Sequence, residues 1–198
     1  QGDHQHDGQR IETKLLVQGL IPGKGEEAML DTMQYDSPIG PLLLAQKHGF
    51  LVGLWLEGQK YYLGSWQGES RKDGDSEILR RAKDWLDRYF RGERPDVREL
   101  ALAPKGSGFQ KEVWEILCKI PYGKTVTYGE IAREIAARRG LESMSLQAVG
   151  GAVGHNPISI IIPCHRVVGA NGSLTGYAGG LDKKMQLLKL ERADIGKP

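Results

Sequence analysis

Three short strand patterns come before the first helical pattern in this chain, and that order constrains the fold more than any other feature. Alternating apolar and polar residues with turn sequences between them predict strands over residues 31–36, 42–46 and 50–57. A helical periodicity follows, from Ser76 to Gly92. Strands followed by a helix that covers one face predict a small N-terminal α/β sheet domain.

Helical patterns dominate the rest of the chain. Apolar residues recur at helical spacing from Phe109 to Ile120, and Thr127 with Glu130 forms a capping box that begins another helix. A further helix begins near Ser145, and a last one is predicted near the C-terminus. The predicted fold class is therefore α+β, a sheet domain joined to a mostly helical domain with a helix-turn-helix. The predicted boundaries are 1–28 for a flexible tail, 29–100 for the first domain and 101–198 for the second.

Composition excludes several classes of protein. No apolar run approaches the roughly 20 residues that span a bilayer, so we expect no membrane segment. Two cysteines argue against a disulfide framework or a cysteine-rich zinc site and fit the reducing cytoplasm. We expect a monomer without metal or cofactor. Residues 109–198 carry 12 Lys and Arg against 8 Asp and Glu. That excess permits a polyanionic partner but does not require one.

The two short helices around Gly140 form a helix-turn-helix pattern, which alone is a weak indication of DNA binding. The second helix is rich in small residues, among them Gly150 and Gly151, although glycine inside a helix costs about 1 kcal/mol. Two explanations stay open, namely tight packing against a neighbouring element and close approach to a nucleic-acid groove.

The main chemical motif is the run around Cys164, which follows an apolar segment and precedes His165 and Arg166. The apolar residues 158–162 predict a buried strand that ends at the cysteine. The histidine supplies a base and the arginine a positive charge, which together favour a thiolate.

Two further residues complete a possible catalytic set with Cys164 and His165. Glu191 supplies a carboxylate and Asn156 an amide, as in a Cys–His–acid relay. Neighbouring side chains diverge on an extended strand, so Cys164 and His165 need a bridging water or a tight turn to cooperate.

These motifs resemble those of the O6-alkylguanine-DNA alkyltransferases, also called methylated-DNA–protein-cysteine methyltransferases. The similarity runs from Phe109 to Glu191, with a weaker match near the first strand. Its most specific part is the Pro-Cys-His-Arg-Val-Val run, and the other matching segments are residues 127–132, 148–152, 154–157 and 177–180.

The resemblance implies single-turnover DNA repair, in which Cys164 attacks the alkyl carbon on O6 of guanine, with O4-alkylthymine as a possible second substrate. His165 would accept the thiol proton through a water and Glu191 would polarise it. Asn156 would stabilise the turn that holds this network. Tyr128 would donate a hydrogen bond toward N3 of the leaving purine.

The resemblance also implies a substrate pocket. Tyr177 would line it, and the amide of Ala178 would face O6. The carbonyl groups of Cys164 and Val167 would accept from the exocyclic amine, and Lys184 would support the site.

For DNA, the resemblance implies a helix in the minor groove of a duplex and a flipped-out alkylguanine. The residues assigned to DNA contact are Thr127, Gln147, Ala148, Gly150, Gly151 and Arg166. Gln147 departs from the family pattern, which has an arginine there to fill the gap left by the flipped base. Glutamine is shorter and uncharged, so we expect slower repair of duplex DNA.

Three other hypotheses compete with repair. A sensor would bind alkylated bases without repairing them, but relatives of that kind lack the cysteine. A cysteine-dependent hydrolase or transferase for small molecules would need an oxyanion site, which the sequence does not clearly supply. A structural protein with an inert thiol would leave the density of matched motifs unexplained.

Overall fold

The computed structural model describes residues 29–194, so the predicted tail over residues 1–28 lies outside the described residues. The chain begins with a four-stranded sheet in the order β3-β2-β1-β4, in which β4 is parallel to β1 and the other pairs are antiparallel. The strands are β1 (Leu30–Ser37), β2 (Gly40–Lys47), β3 (Phe50–Leu56) and β4 (Arg71–Asp73). The first three were predicted; β4 was missed because its three residues are exposed and carry no apolar alternation.

Successive side chains of a strand point to opposite faces of the sheet, and both faces of this sheet are buried. Leu42 and Leu44 of β2 face α1 (Glu77–Phe90), whereas Leu43 and its neighbour Ala45 face a smaller cluster around Trp55. Burying one leucine side chain contributes roughly 1.5–3 kcal/mol, so these alternating positions fix which face each strand residue takes.

The outer edge of β3 joins the two halves of the molecule. The Leu51 amide donates to the carbonyl of Ala101 at 2.9 Å, and the Leu54 amide donates to the carbonyl of Pro157 at 2.9 Å. The Ser159 amide donates back to the Leu54 carbonyl at 2.9 Å. An open strand edge would leave such groups unpaired. Here it anchors both the connecting segment and the backbone that leads to Cys164.

The second half is mostly helical, which confirms the α+β prediction. Its elements are α2 (Gly108–Leu117), β5 (Val126–Thr127), α3 (Tyr128–Arg139), α4 (Leu146–Gly154), β6 (Val167–Val168) and α5 (Leu181–Leu190). The predicted capping box closes at Thr127, whose hydroxyl accepts from the Glu130 amide at 3.1 Å. β5 pairs in parallel with β6, which ties the helix pair α3–α4 to the segment after Cys164. No helix within residues 29–194 is long and apolar enough to cross a membrane.

The predicted strand over residues 158–162 is wrong. Only Ile158 makes a strand-like bridge, to Leu54, and the chain then turns. Ile160 is fully buried with φ of 71°, a left-handed conformation that costs a β-branched residue about 1–3 kcal/mol. The apolar run therefore reflects burial of a turn inside the core, which hydrophobic pattern alone does not separate from a buried strand.

Candidate active site

Cys164 borders a cavity of about 310 Å³ that opens where the two halves of the chain meet. Five other residues predicted for the site share this cavity, and they are Tyr128, Gly150, Gly151, Tyr177 and Ala178. The cysteine begins a short 3-10 turn, Cys164–Arg166, rather than ending a strand, and only 6% of it is exposed. The turn is one of the two connections that adjacent Cys and His residues were expected to need.

The surroundings of Cys164 keep its sulfur as a neutral thiol at rest. Burial raises the pKa of Cys164, and the Asn156 amide and the charge of Lys184 only partly oppose that effect. The positive charge of Arg166, which was expected to favour the thiolate, is paired with the carboxylate of Glu191 instead. A base must therefore take the proton during any reaction of this sulfur.

Asn156 fixes the turn that presents the cysteine. Its side-chain NH2 donates to the carbonyl of Ile162 at 2.7 Å, and its oxygen accepts from the amide of Ile158 at 3.0 Å. The side chain is 4% exposed, so these bonds form out of water. One amide thus closes the loop between the β3 edge and Cys164.

His165 is fully buried and paired with Glu191. The two lie with Nε2 2.7 Å from Oε1. Burial raises the pKa of Glu191, but the hydrogen bonds and charges of His165 and Arg166 outweigh it and hold this pKa well below the ordinary value. An ionised carboxylate accepts, so Nε2 carries the hydrogen and Nδ1 keeps a free lone pair. Nδ1 has no hydrogen-bond partner among residues 29–194.

Arg166 differs from its predicted role. Its Nε donates to Glu191 Oε2 at 2.9 Å, its Nη2 to Oε1 at 2.9 Å, and its Nη1 to the carbonyl of Ile120 at 2.7 Å. The residue is 9% exposed. A DNA contact does not fit this arrangement, because the guanidinium is committed inside the protein. Its charge serves the carboxylate instead of the thiol.

Tyr89 is a member of the site that sequence reasoning missed. It lies on α1 in the first domain, where no catalytic group was expected, and its hydroxyl donates to Glu191 Oε1 at 2.7 Å. Helical spacing marked it as a core residue, and no local motif separated it from other core aromatics. We call Tyr89, His165, Arg166 and Glu191 the buried cluster.

Lys184 supports the loop at the mouth of the cavity. Its ammonium donates to the carbonyl groups of Val167 at 2.5 Å, Thr175 at 3.0 Å and Gly176 at 3.0 Å, which uses all three hydrogens. Burial lowers the pKa of Lys184 to about 8. The lysine therefore holds the loop rather than facing the cavity, and it already occupies one acceptor site on the Val167 carbonyl.

The two tyrosines of the cavity have different partners. The hydroxyl of Tyr128 donates to the carbonyl of Thr175 at 3.1 Å, so a substrate would have to replace that bond. The hydroxyl of Tyr177 is buried and has no partner within the described residues. Burial raises the pKa of Tyr177 well above its ordinary value, so the group remains a neutral donor.

One face of α4 is open. Gln147 and Ala148 are exposed, and a Cβ added at Gly150 or Gly151 would meet no atom within 4 Å. Tight packing against a neighbour among the described residues therefore does not explain the small side chains. The α4 face, meaning Gln147, Ala148, Gly150 and Gly151, is shaped for close approach from outside. The hydroxyl of Thr127 is used in the α3 cap.

The first domain also contributes to the rim of the cavity, which the sequence did not reveal. The Lys60 amide donates to the carbonyl of Ala178 at 2.9 Å, and the ring of Tyr61 stacks on His155 with centroids 4.0 Å apart. Both Lys60 and Tyr61 line the cavity. Such long-range contacts between a loop and a distant helix leave no local pattern.

Comparison with known proteins matches both halves of the chain. The 6-O-methylguanine DNA methyltransferase ribonuclease-like domain matches residues 33–104, and the DNA binding domain of the same family matches residues 108–193. The methylated-DNA–protein-cysteine methyltransferase of Methanosarcina acetivorans is 47% identical over 160 residues, covering 79% of this chain and 95% of that protein. The Mycolicibacterium paratuberculosis protein of the same name is 45% identical, covering 83% and 93%.

Solved structures agree with these matches. Mycobacterium tuberculosis OGT in complex with DNA has a TM-score of 0.68 and 43% identity, covering 83% of this chain and 93% of that one. An O6-methylguanine DNA methyltransferase from Methanococcus jannaschii has a TM-score of 0.54 and 32% identity, covering 84% and 96%. This chain belongs to the 6-O-methylguanine DNA methyltransferase family, as its motifs predicted.

Proposed function

We propose that Cys164 is the acceptor in direct DNA repair, taking the alkyl group from O6 of an alkylguanine once per molecule. Repair of DNA by alkyl transfer to a protein cysteine is the activity of this chain. The observation that carries the assignment is the position of Cys164 in a cavity that also borders Gly150 and Gly151 of the α4 face. The nucleophile and the surface open to DNA thus share one entrance.

Burial of Cys164 implies that the damaged base comes to it. A base stacked in a duplex cannot reach a thiol that is 6% exposed inside a cavity. The target nucleotide must rotate out of the helix, at a cost of a few kcal/mol. The small residues of the α4 face let the helix approach the floor of the minor groove and offset part of that cost. The chain acts as a monomer, since every group that the reaction uses belongs to this one chain.

The transfer is a displacement at the alkyl carbon. The bond from Sγ of Cys164 to that carbon forms as the carbon–O6 bond breaks, and the product is a thioether. The thiol proton passes through a bridging water to Nδ1 of His165, and Glu191 stabilises the resulting imidazolium. Tyr128 exchanges its bond to Thr175 for one to N3, where the leaving guanine takes up charge.

The pocket residues then have separate tasks. Tyr177 forms a wall of the cavity, and the Ala178 amide faces O6, so that negative charge developing there meets a donor. The Cys164 carbonyl and the free acceptor site of Val167 receive the exocyclic amine. Lys184 keeps the loop that carries these groups in place.

An intact-mass experiment tests this assignment. The protein is incubated with a duplex oligonucleotide that contains O6-methylguanine, beside Cys164→Ala and the matched control Cys118→Ala. We expect one methyl group per molecule in the wild type and in Cys118→Ala, and none in Cys164→Ala. Catalytic loss of substrate with unmodified protein would show an enzyme with turnover, and binding without modification would show a sensor; either result refutes the proposal.

A further inference from the structure

Glu191 receives three side-chain donors on its Oε1 oxygen, and one of them comes from the other domain. Tyr89 Oη lies at 2.7 Å, His165 Nε2 at 2.7 Å and Arg166 Nη2 at 2.9 Å. Tyr89 is 1% exposed. Its hydroxyl and the imidazole therefore compete for the same negative charge, away from water.

We propose that Tyr89 is a positioning residue for alkyl transfer, which fixes the Glu191 carboxylate and limits how strongly that carboxylate polarises His165. The inference rests on the proposed function, in which His165 takes the proton of Cys164. The first domain thereby tunes the chemistry of the second through one hydroxyl.

The physical basis is the sharing of one acceptor. Hydrogen bonds to an ionised oxygen are roughly twice as strong as neutral ones, and each donor withdraws charge from the oxygen. Without the phenol, the charge of Oε1 would fall on His165 and Arg166 alone. A more basic carboxylate favours the protonated imidazole, which cannot accept the thiol proton.

The ring of Tyr89 has its own packing, so the hydroxyl can be removed separately. It stacks on Trp85 at 5.5 Å between centroids and meets Phe90 and Tyr122 edge to face at 5.2 and 6.1 Å. Tyr89→Phe keeps these contacts and deletes the hydroxyl, with its 2.7 Å hydrogen bond to Glu191 Oε1 and its longer 3.5 Å contact with Nε2 of His165.

Other charged and titratable groups lie near the buried cluster or near Tyr122, which packs against Tyr89, and must stay constant in any comparison. They are Arg94, Tyr122, His165, Arg166, Tyr177, Lys184 and Arg192. Of these, only His165 and Arg166 bond to Glu191 with their side chains. Neither Tyr89→Phe nor a fluorinated tyrosine changes any of them.

The consequence is a shift in the pH dependence of the transfer rate. Below the pKa of His165 the base is protonated and the rate falls. Deleting the Tyr89 hydroxyl raises that pKa, so the acidic limb of the pH–rate profile moves to higher pH by about one unit. A 3-fluorotyrosine at position 89 has a more acidic hydroxyl that donates a stronger hydrogen bond, so it moves the acidic limb to lower pH.

The test measures single-turnover methyl transfer from a duplex carrying O6-methylguanine to the full-length protein between pH 5 and 8. It compares wild type, Tyr89→Phe, the 3-fluorotyrosine form and the control Tyr35→Phe. Tyr35 also donates to a carboxylate, Asp87, at 2.8 Å, but outside the site.

We expect opposite shifts for the two position-89 forms and none for Tyr35→Phe. If Tyr89→Phe does not fold, a shift of the acidic limb to lower pH in the fluorinated form still supports the role of Tyr89. An unmoved limb in the position-89 forms, or shifts in the same direction, overturns the role of Tyr89. A wild type that gains no methyl group would instead refute the proposed function.

Discussion

The buried cluster and the α4 face are built in opposite ways, although both border the same cysteine. Glu191 is 2% exposed and receives bonds from three side chains, whereas Gly150 and Gly151 have open space where a side chain would stand. In the mechanism that we propose, the first region prepares proton transfer before DNA arrives, and the second leaves room for DNA. Changes in the two regions should therefore separate chemistry and folding from DNA binding.

The largest effect is expected in the buried cluster, for Glu191→Gln. The substitution leaves the Arg166 guanidinium buried without its charge partner, which costs about 3–5 kcal/mol of unfolding free energy. Denaturant unfolding measures this loss, and the transfer rate should fall with both duplex DNA and a free O6-benzylguanine base. A stable variant with normal rates would contradict the role of the cluster.

The same substitution changes the acid dependence of stability. Because the folded-state pKa of Glu191 lies below its ordinary value of 4.5, its contribution to stability is complete above that pH and is lost as the pH falls below it. Wild-type stability should therefore fall more steeply than that of Glu191→Gln between about pH 4.5 and 3. Parallel curves would show that the carboxylate is not stabilised by folding.

The next effect is expected on the α4 face, for Ala148→Leu. The side chain is exposed and leucine is a good helix former, so the melting temperature should not fall. Added bulk should hinder approach to the minor groove and slow duplex repair by about tenfold or more, equivalent to ~1.4 kcal/mol. Reaction with the free base should be unchanged, and an equal loss on both substrates would place the effect in the pocket instead.

A smaller effect, in the other direction, is expected for Gln147→Arg. A guanidinium supplies charge-assisted hydrogen bonds to the unpaired cytosine and to phosphates, which glutamine lacks. Duplex repair should become about three- to tenfold faster, with no change for the free base. An unchanged duplex rate would show that position 147 does not support base flipping.

The smallest effect is expected for Ser145→Ala, at the start of α4. The hydroxyl accepts from the Ala148 amide at 3.2 Å, and losing such a cap costs about 1 kcal/mol. Ser107→Ala removes the equivalent bond from α2, at 3.1 Å, and serves as the control. Both should lower stability similarly, but only Ser145→Ala should slow duplex repair. If Ser145→Ala and Ser107→Ala repaired duplex DNA at the same rate, the N-terminal cap of α4 would not contribute to DNA contact.

Local sequence signals predicted the regular elements well and the site unevenly. Capping residues such as Thr127 and apolar spacing located the helices, and the motif around Cys164 identified the family. The turn before the cysteine was predicted as a strand, since its geometry depends on bonds from Asn156 and the edge of β3. Tyr89 and the partner of Arg166 depend on contacts between distant segments, which neither periodicity nor motif reports.

The most direct test of the account locates the methyl group within the protein. After stoichiometric reaction with O6-methylguanine DNA, trypsin separates the two cysteines, with Cys118 in residues 112–119 and Cys164 in residues 140–166. Burial and the negative charge of Glu115 raise the pKa of Cys118 to about 12, so it should stay unmodified. The account predicts one methyl group on residues 140–166, assigned to Cys164 by fragmentation. A methyl group on Cys118, or on neither peptide, would contradict it.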